Sequence, residues 1–301
     1  MEKQPLHAHH LYPTDWTEYR LLDSGDGQKL EQFGRYRFIR PEPQALWGKA
    51  LPESDWAAAD GLFVAGNTED KGRWQLSDTL PASWEMSFEG VRFCALPTPF
   101  RHLGFFPEQS PHWQWTARKI AEFIAKEGRP PRLLNLFAYS GVASLHAAAA
   151  GAEVTHLDAS KKAVAQAFDN RTLSGLEDAP IRFITDDALR FVAREQRRGN
   201  QYDGIMLDPP KYGRGPKGEV WQVNENLPEL LAGCRALLSD RPLLFIATLY
   251  AIRMSTTAVH AAIADVLDGL GGEIQSGELA LREDRPGGRA IGQALYVRWS
   301  S

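Results

Sequence analysis

Apolar residues return along this chain in two rhythms. From Pro111 to Lys126, Trp113, Trp115, Ile120, Phe123 and Ile124 recur at helical spacing, and Gly128-Arg129-Pro130-Pro131 ends that segment. Beyond it, short apolar runs alternate with helical stretches. The runs predict strands over 132–137, 153–158, 181–184, 203–208 and 242–248, and the stretches between and after them predict helices over 142–150, 160–174, 187–198, 222–238 and 255–270. Apolar strands separated by helices predict a parallel sheet covered on both faces. Two further strands, 273–282 and 290–299, face each other across Glu283-Asp284-Arg285-Pro286-Gly287-Gly288. They predict an antiparallel hairpin at the sheet edge.

The first hundred residues have another character. They are rich in Trp, Gly, Pro and Asp, and Arg35 to Arg40 alternates basic with apolar positions, the period of a strand. Gly61–Ala65 and Trp84–Phe93 also predict strands, the latter folded back at Glu89-Gly90. Residues 1–98 therefore read as a small mixed or mainly β accessory domain, and 99–301 as an α/β domain. His7, His9 and His10 fall in what is expected to be a disordered N-terminal tail rather than a metal site.

Composition narrows the function classes. Apolar residues make up 43% and charged residues 24% of the 301, which fits a soluble globular protein. The net charge of −4 argues against a general nucleic-acid coater while leaving room for a local basic groove. Cys94 and Cys234 lack the spacing of a disulfide framework or a thiolate metal site, so no metal is expected and the cytoplasm is the natural compartment. No signal peptide and no apolar run of membrane-spanning length is read.

Candidate chemistry gathers at the ends of predicted strands. Tyr202–Met206 leads into Leu207-Asp208-Pro209-Pro210-Lys211-Tyr212-Gly213, which sets a carboxylate at a strand's carboxyl end beside two prolines without N–H groups. Such an acceptor-rich loop suits an amino group or ring N–H. Leu133–Phe137 runs into the turn Ala138-Tyr139-Ser140-Gly141, whose single glycine lacks the GxGxxG pattern of dinucleotide sites. The next strand ends in Asp158, seventeen residues after Gly141. That is near the roughly 20-residue spacing of a ribose-binding acid. Capping the following helix is the other role open to Asp158, although Ser160 can serve as that cap. Asp187, or Asp186, follows the third strand and can equally cap a helix or bind a ligand.

These segments resemble the motifs of the class I S-adenosylmethionine-dependent methyltransferases. Together with Leu103-Gly104-Phe105-Phe106-Pro107-Glu108-Gln109 they resemble, from about residue 101 onward, the bacterial large-subunit ribosomal RNA methyltransferase family. That family usually ends the aromatic segment in Asp-Gln-Arg, where this chain has Glu108-Gln109-Ser110. The resemblance implies a Rossmann-like seven-stranded methyltransferase sheet with an antiparallel C-terminal hairpin. It implies S-adenosylmethionine as cofactor, bound by Phe106, Gln109, Asn135, Phe137, Ala138, Tyr139, Ser140, Gly141, Asp158, Ala159, Ser160, Asp187, Ala188 and Asp208. It places the reacting base near Asp208, Pro209, Pro210, Lys211 and Tyr212. Tyr212 is suited to stack on that base, a contact worth about 1–3 kcal/mol.

Many amino-group methyltransferases carry an aromatic residue after the two prolines, where this chain has Lys211. Family members that make 5-methylcytosine use a cysteine at the end of the fifth strand, where this chain has Ala247-Thr248-Leu249-Tyr250. Cys234 lies in an apolar helix and reads as a small hydrophobe. Direct attack by a base nitrogen therefore fits best. Three basic groups could hold RNA phosphates: Lys211, Arg214 and Lys217; Arg282, Arg285 and Arg289; and Arg35, Arg37 and Arg40, the last of which reads rather as solvated charge. The competing readings are methylation of a protein or small molecule, a nicotinamide-dependent oxidoreductase, and a non-catalytic RNA-binding module.

Overall fold

A computed structural model describes residues 8–66 and 72–301, which divide into two compact units. The larger holds residues 8–11, Pro111–Leu279 and Gln293–Ser301, and the smaller Tyr12–Ser110 and Ala280–Gly292. The larger is built on an eight-stranded sheet. In chain order its strands are β1 (Ala8–Leu11), β2 (Arg132–Leu136), β3 (Glu153–Asp158), β4 (Ile181–Thr185), β5 (Gly204–Leu207), β6 (Leu244–Tyr250), β7 (Glu273–Arg282) and β8 (Ala290–Ser300). Their spatial order is β1-β7-β8-β6-β5-β2-β3-β4. The helices are α1 (Ser110–Glu127), α2 (Val142–Ala149), α3 (Lys161–Leu173), α4 (Ala188–Arg197), α5 (Val223–Leu237) and α6 (Thr256–Val266).

The pattern of the sequence explains the layers. Strand β5, Gly-Ile-Met-Leu, is buried throughout because it pairs in parallel with β2 on one side and β6 on the other. Alternate side chains go to opposite faces. Ile205, Leu207, Phe245 and Ala247 pack with Phe191, Leu227 and Leu230 of α4 and α5. Met206, Leu244 and Ile246 pack with Trp115, Ile120 and Phe123 of α1 and Ala147 of α2. Each large side chain so buried contributes about 1.5–3 kcal/mol. The strand order reverses between β2 and β5, the point where open α/β sheets bind ligands beyond their carboxyl ends.

Seven of the eight strands are those the sequence predicts, and the eighth corrects it. Residues 8–11, expected as a disordered tail, form β1, paired in parallel with β7 through His9 opposite Gly277 and His10 opposite Glu278. A Cβ at Gly277 would lie 1.8 Å from the His9 carbonyl oxygen, so the close approach requires glycine there. The terminal pair β7 and β8 is therefore not the sheet edge, which β1 occupies. His7 lies outside the described residues.

The smaller unit is mainly β. Its five-stranded sheet orders Tyr19–Gly25, Gln28–Phe33, Tyr36–Pro41, Gly61–Ala65 and Gly72–Leu76. The predicted hairpin joins Trp84–Phe88 to Val91–Ala95, with Glu89 and Gly90 both at positive φ. Aromatic rings fill its core: Trp16 meets Phe88 at 4.7 Å, and Phe93 meets Phe105 at 4.8 Å. No helix among the described residues is long and apolar enough to cross a membrane.

Candidate cofactor and acceptor site

Register brings the candidate residues to one end of the sheet. Leu136 stands beside Leu157 on one side and Leu207 on the other, so the turn after β2, Asp158 and Asp208 leave the sheet at one level. Asp158 is in turn beside Thr185, just before Asp186 and Asp187. The turn is unusual in its backbone: Phe137 (φ +56°), Tyr139 (φ +48°) and Gly141 (φ +84°) are all left-handed. Two non-glycine residues there carry a cost of order 1–3 kcal/mol each and persist only where surroundings over-determine them.

Those surroundings are identifiable. The Ala138 N–H donates to the Leu157 carbonyl at 3.0 Å, the Gly141 N–H to the Ala138 carbonyl at 3.0 Å, and the Asn170 amide to the Ser140 carbonyl at 2.9 Å. A Cβ on Gly141 would stand 2.7 Å from the Ala167 Cβ of α3. Asn135 lies behind the turn, buried, and donates to Ser144 Oγ at 2.9 Å. Ser144 in turn contacts His156 Nδ1 at 3.0 Å. Burial holds the His156 imidazole well below its ordinary range, at about 3, so this is a neutral internal network.

Asp158 is held by main-chain donors. Its Oδ2 accepts the Tyr139 N–H at 2.9 Å and its Oδ1 the Ser160 N–H at 2.8 Å. Burial raises its pKa, and those two N–H groups partly offset the rise. The same burial, with the Asp158 charge beside it, pushes the Tyr139 phenol up to about 12. The cap of α3 is Ser160, whose Oγ accepts the Ala163 N–H at 3.2 Å, so Asp158 is released from capping. Asp187 does cap α4, accepting the Arg190 N–H at 3.0 Å through Oδ1. Asp186 is engaged by Arg194 and by the Asp187 N–H. Ala159 joins Asp158 to the cap residue, and Ala188 is the buried first residue of α4.

This donor and acceptor set fits S-adenosylmethionine. Each Asp158 oxygen retains lone-pair capacity for one ribose hydroxyl, and a carboxylate accepts such donors strongly. Asp187 can accept from the adenine amino group while still capping. S-adenosylmethionine carries no phosphate, so a turn with one glycine is compatible with it.

At the carboxyl end of β5, Asp208 is half-buried, Pro209 buried and Pro210 exposed. Lys211 is exposed, and Tyr212 is 52% exposed and free to present its ring. The segment read as a loop is a short hairpin, Tyr212–Arg214 against Val220–Gln222. Not every proline carbonyl is open: that of Pro210 accepts the Trp221 indole N–H at 2.7 Å, and that of Lys211 accepts the Val223 N–H at 3.1 Å. Sequence reasoning missed Trp221; its alternation with exposed Val220 and Gln222 was the available signal.

Phe106 and Gln109 belong to the smaller unit, flanking and ending a single 3₁₀ turn at Pro107–Gln109. The basic groups of that unit are largely committed. Arg285 and Arg289 pair with Glu283, and Arg289 also reaches Asp23 at 2.9 Å. Arg40 makes a buried bidentate contact with Glu31 at 2.7 Å, and Arg37 stands 3.9 Å from Asp55. Arg282 covers the Tyr12 ring at 4.0 Å and Arg35 the Tyr36 ring at 4.9 Å. Arg40, Arg285 and Arg289 are thus engaged by carboxylates of their own unit, whereas Arg35 and Arg282 remain exposed. A cleft of about 410 Å³ lined by Arg132, Glu153, Arg182 and Tyr202 opens at the amino ends of the strands, away from the site. Among the described residues, no group of three or more His, Cys, Asp or Glu side chains is arranged to hold a metal.

The family described as Conserved hypothetical protein 95 matches residues 113–226. The chain is similar to Ribosomal RNA large subunit methyltransferase K/L of Shewanella frigidimarina, 33% identical over 88% of this chain and 37% of that protein. The Hahella chejuensis protein of the same name is 30% identical over 79% of this chain and 33% of its own length. The chain thus spans about a third of the curated relatives it matches. The crystal structure of an S-adenosylmethionine-dependent methyltransferase from Agrobacterium tumefaciens superposes with a TM-score of 0.92 at 44% identity, covering 100% of this chain and 97% of that one. A proposed methyltransferase of Streptococcus mutans shares the fold at 16% identity, with a TM-score of 0.68 over 95% of this chain and 76% of that one.

Proposed function

Because the chain belongs to the class I S-adenosylmethionine-dependent methyltransferases, we propose that it methylates a base of large-subunit ribosomal RNA, at a ring nitrogen and without a cysteine nucleophile. S-adenosylmethionine, when bound, supplies a methyl group on a sulfonium. Asp158 orients the ribose, Asp187 the adenine, and the turn Phe137–Gly141 shapes the cofactor's bed. Asp208 and the Pro209 carbonyl accept N–H groups of the target base, and Tyr212 stacks on its face. The work asked of these residues is alignment, which can supply about 7–11 kcal/mol.

The observation that carries the reading is the register that sets Asp208 beside the left-handed turn at Phe137. The nitrogen target is supported by the cysteines. Cys234 is buried in α5, and burial pushes its thiol up to about 12, far from a reactive thiolate. Cys94 belongs to the smaller unit. RNA is supported by the relatives' names and by the exposed Lys211, Arg214 and Lys217 around the hairpin. Residues 99–301 are assigned the transfer and residues 1–98 an accessory role.

The test is label transfer from methyl-labelled S-adenosylmethionine into RNA, protein and metabolite pools from cells lacking this gene. Label in ribosomal RNA, retained as an N-methylated base after digestion, supports the reading. Label confined to protein or metabolites contradicts it, as does a carbon-methylated pyrimidine.

A further inference from the structure

One side chain contacts both loops of the site. Trp221 is 3% exposed on the second arm of the hairpin, between two exposed neighbours. Its indole N–H donates to the Pro210 carbonyl at 2.7 Å, and its ring meets Phe137 with centroids 5.0 Å apart, tilted by 56°. Phe137 is the left-handed residue that opens the cofactor turn, and Pro210 is two residues past Asp208. The hairpin has a second anchor at its tip. Glu219 pairs with Arg190 of α4, accepts the Lys217 N–H at 2.9 Å through its carboxylate, and accepts the Gly215 N–H at 2.8 Å through its carbonyl. Arg190 is itself the residue whose N–H Asp187 caps.

We infer that Trp221 is a positioning residue for methyl transfer, fixing the Asp208–Lys211 loop against the cofactor turn through the Pro210 carbonyl. The inference rests on the reading that Asp208 and Pro209 hold the acceptor. Consecutive prolines supply no N–H groups of their own, and the donor that holds the Pro210 carbonyl is the Trp221 indole. The bond holds the carbonyl that directly follows Pro209, the residue whose own carbonyl the reading assigns to the base. Transfer requires reacting atoms about 3–3.5 Å apart, and a misplacement of about 1 Å costs on the order of 100-fold. Trp221 therefore acts on rate, through the loop, without touching either reactant.

Trp221→Phe retains a ring against Phe137 and removes the N–H. The test compares full-length wild type, Trp221→Phe, Glu219→Gln and Asp208→Ala, measuring kcat and KM with RNA from cells lacking the gene, Kd for S-adenosylmethionine, and thermal unfolding. Trp221→Phe is expected to lose roughly 10- to 100-fold in kcat, with cofactor Kd and melting temperature close to wild type. Glu219→Gln, which loosens the same hairpin from its tip, is expected to lose several-fold in kcat. A wild-type kcat in Trp221→Phe overturns the inference, as does a loss of kcat matched by loss of fold together with a wild-type kcat in Glu219→Gln. Full transfer by Asp208→Ala marks failure of the underlying acceptor reading instead. Loss in Asp208→Ala with full transfer in Trp221→Phe marks failure of the positioning role alone.

Discussion

The Asp158 carboxylate accepts the main-chain N–H of Tyr139 at 2.9 Å, so the acid ending one strand fixes the turn ending its neighbour. Tyr139 sits at φ +48°, a backbone state that this bond helps to hold. In the proposed site, one residue thus both shapes the turn and is assigned the ribose. Asp158→Ala is expected to weaken S-adenosylmethionine binding by about 1.5–3 kcal/mol, roughly 10- to 150-fold, as for a hydrogen bond to a charged group. Titration calorimetry checks this.

The same acid sets a pH dependence. Burial raises the Asp158 pKa above the ordinary aspartate value, and in the proposed site it is the ionised form that accepts the ribose hydroxyls. Affinity for S-adenosylmethionine should therefore be full at neutral pH and fall as pH descends through that raised pKa, at higher pH than an ordinary aspartate would dictate. Calorimetry across the acid range should show this fall in wild type and a flatter profile in Asp158→Ala.

Gly141→Ala places a Cβ 2.7 Å from the Ala167 Cβ at φ +84°, where no side chain is comfortable. The turn must move, so cofactor affinity should fall at least tenfold. Titration of the variant reads the loss, and near-ultraviolet dichroism reports whether the fold persists.

Much of this was legible in the sequence because periodicity is local. The β3 bounds 153–158 and β7 bounds 273–282 are as read, and the helices agree within a few residues. What escaped depends on partners far along the chain. β1 is four residues, two of them histidine, with no apolar alternation; only β7 makes it a strand. Arg289 reads as a loop cation because its partner Asp23 lies 266 residues away. The hairpin at Tyr212–Gln222 was hidden by Gly213-Arg214-Gly215-Pro216, which spells a loop. Asp158 carried two roles in sequence, and only the Ser160 Oγ bond to the Ala163 N–H assigns the cap to Ser160.

Asp203 anchors the start of β5. It accepts two bonds from Arg129, at 2.7 and 2.9 Å, one from the Arg132 N–H and one from Ser239. Burial pushes its carboxyl up, but these donors outweigh it and hold the pKa below the ordinary value. The resulting stability is present above the unfolded pKa of about 3.9 and is lost as pH falls through the lower folded value. Asp203→Asn should cost about 1–3 kcal/mol in urea unfolding at pH 7, and its deficit should shrink in acid.

Cysteine chemistry gives a further check. With Cys94→Ser and Cys234→Ala combined, methyl transfer should stay within a few-fold of wild type, apart from a stability loss at buried Cys234. Radiometric assay of the double variant measures this, and a loss of transfer in a folded protein would restore a thiol nucleophile.

The most direct measurement is single-turnover methyl transfer by Asp208→Ala against wild type, with cofactor occupancy measured in the same samples and RNA from cells lacking the gene as acceptor. The acceptor reading predicts that Asp208→Ala binds S-adenosylmethionine yet transfers its methyl group about 100- to 1000-fold more slowly. Transfer at the wild-type rate by the occupied variant would contradict it.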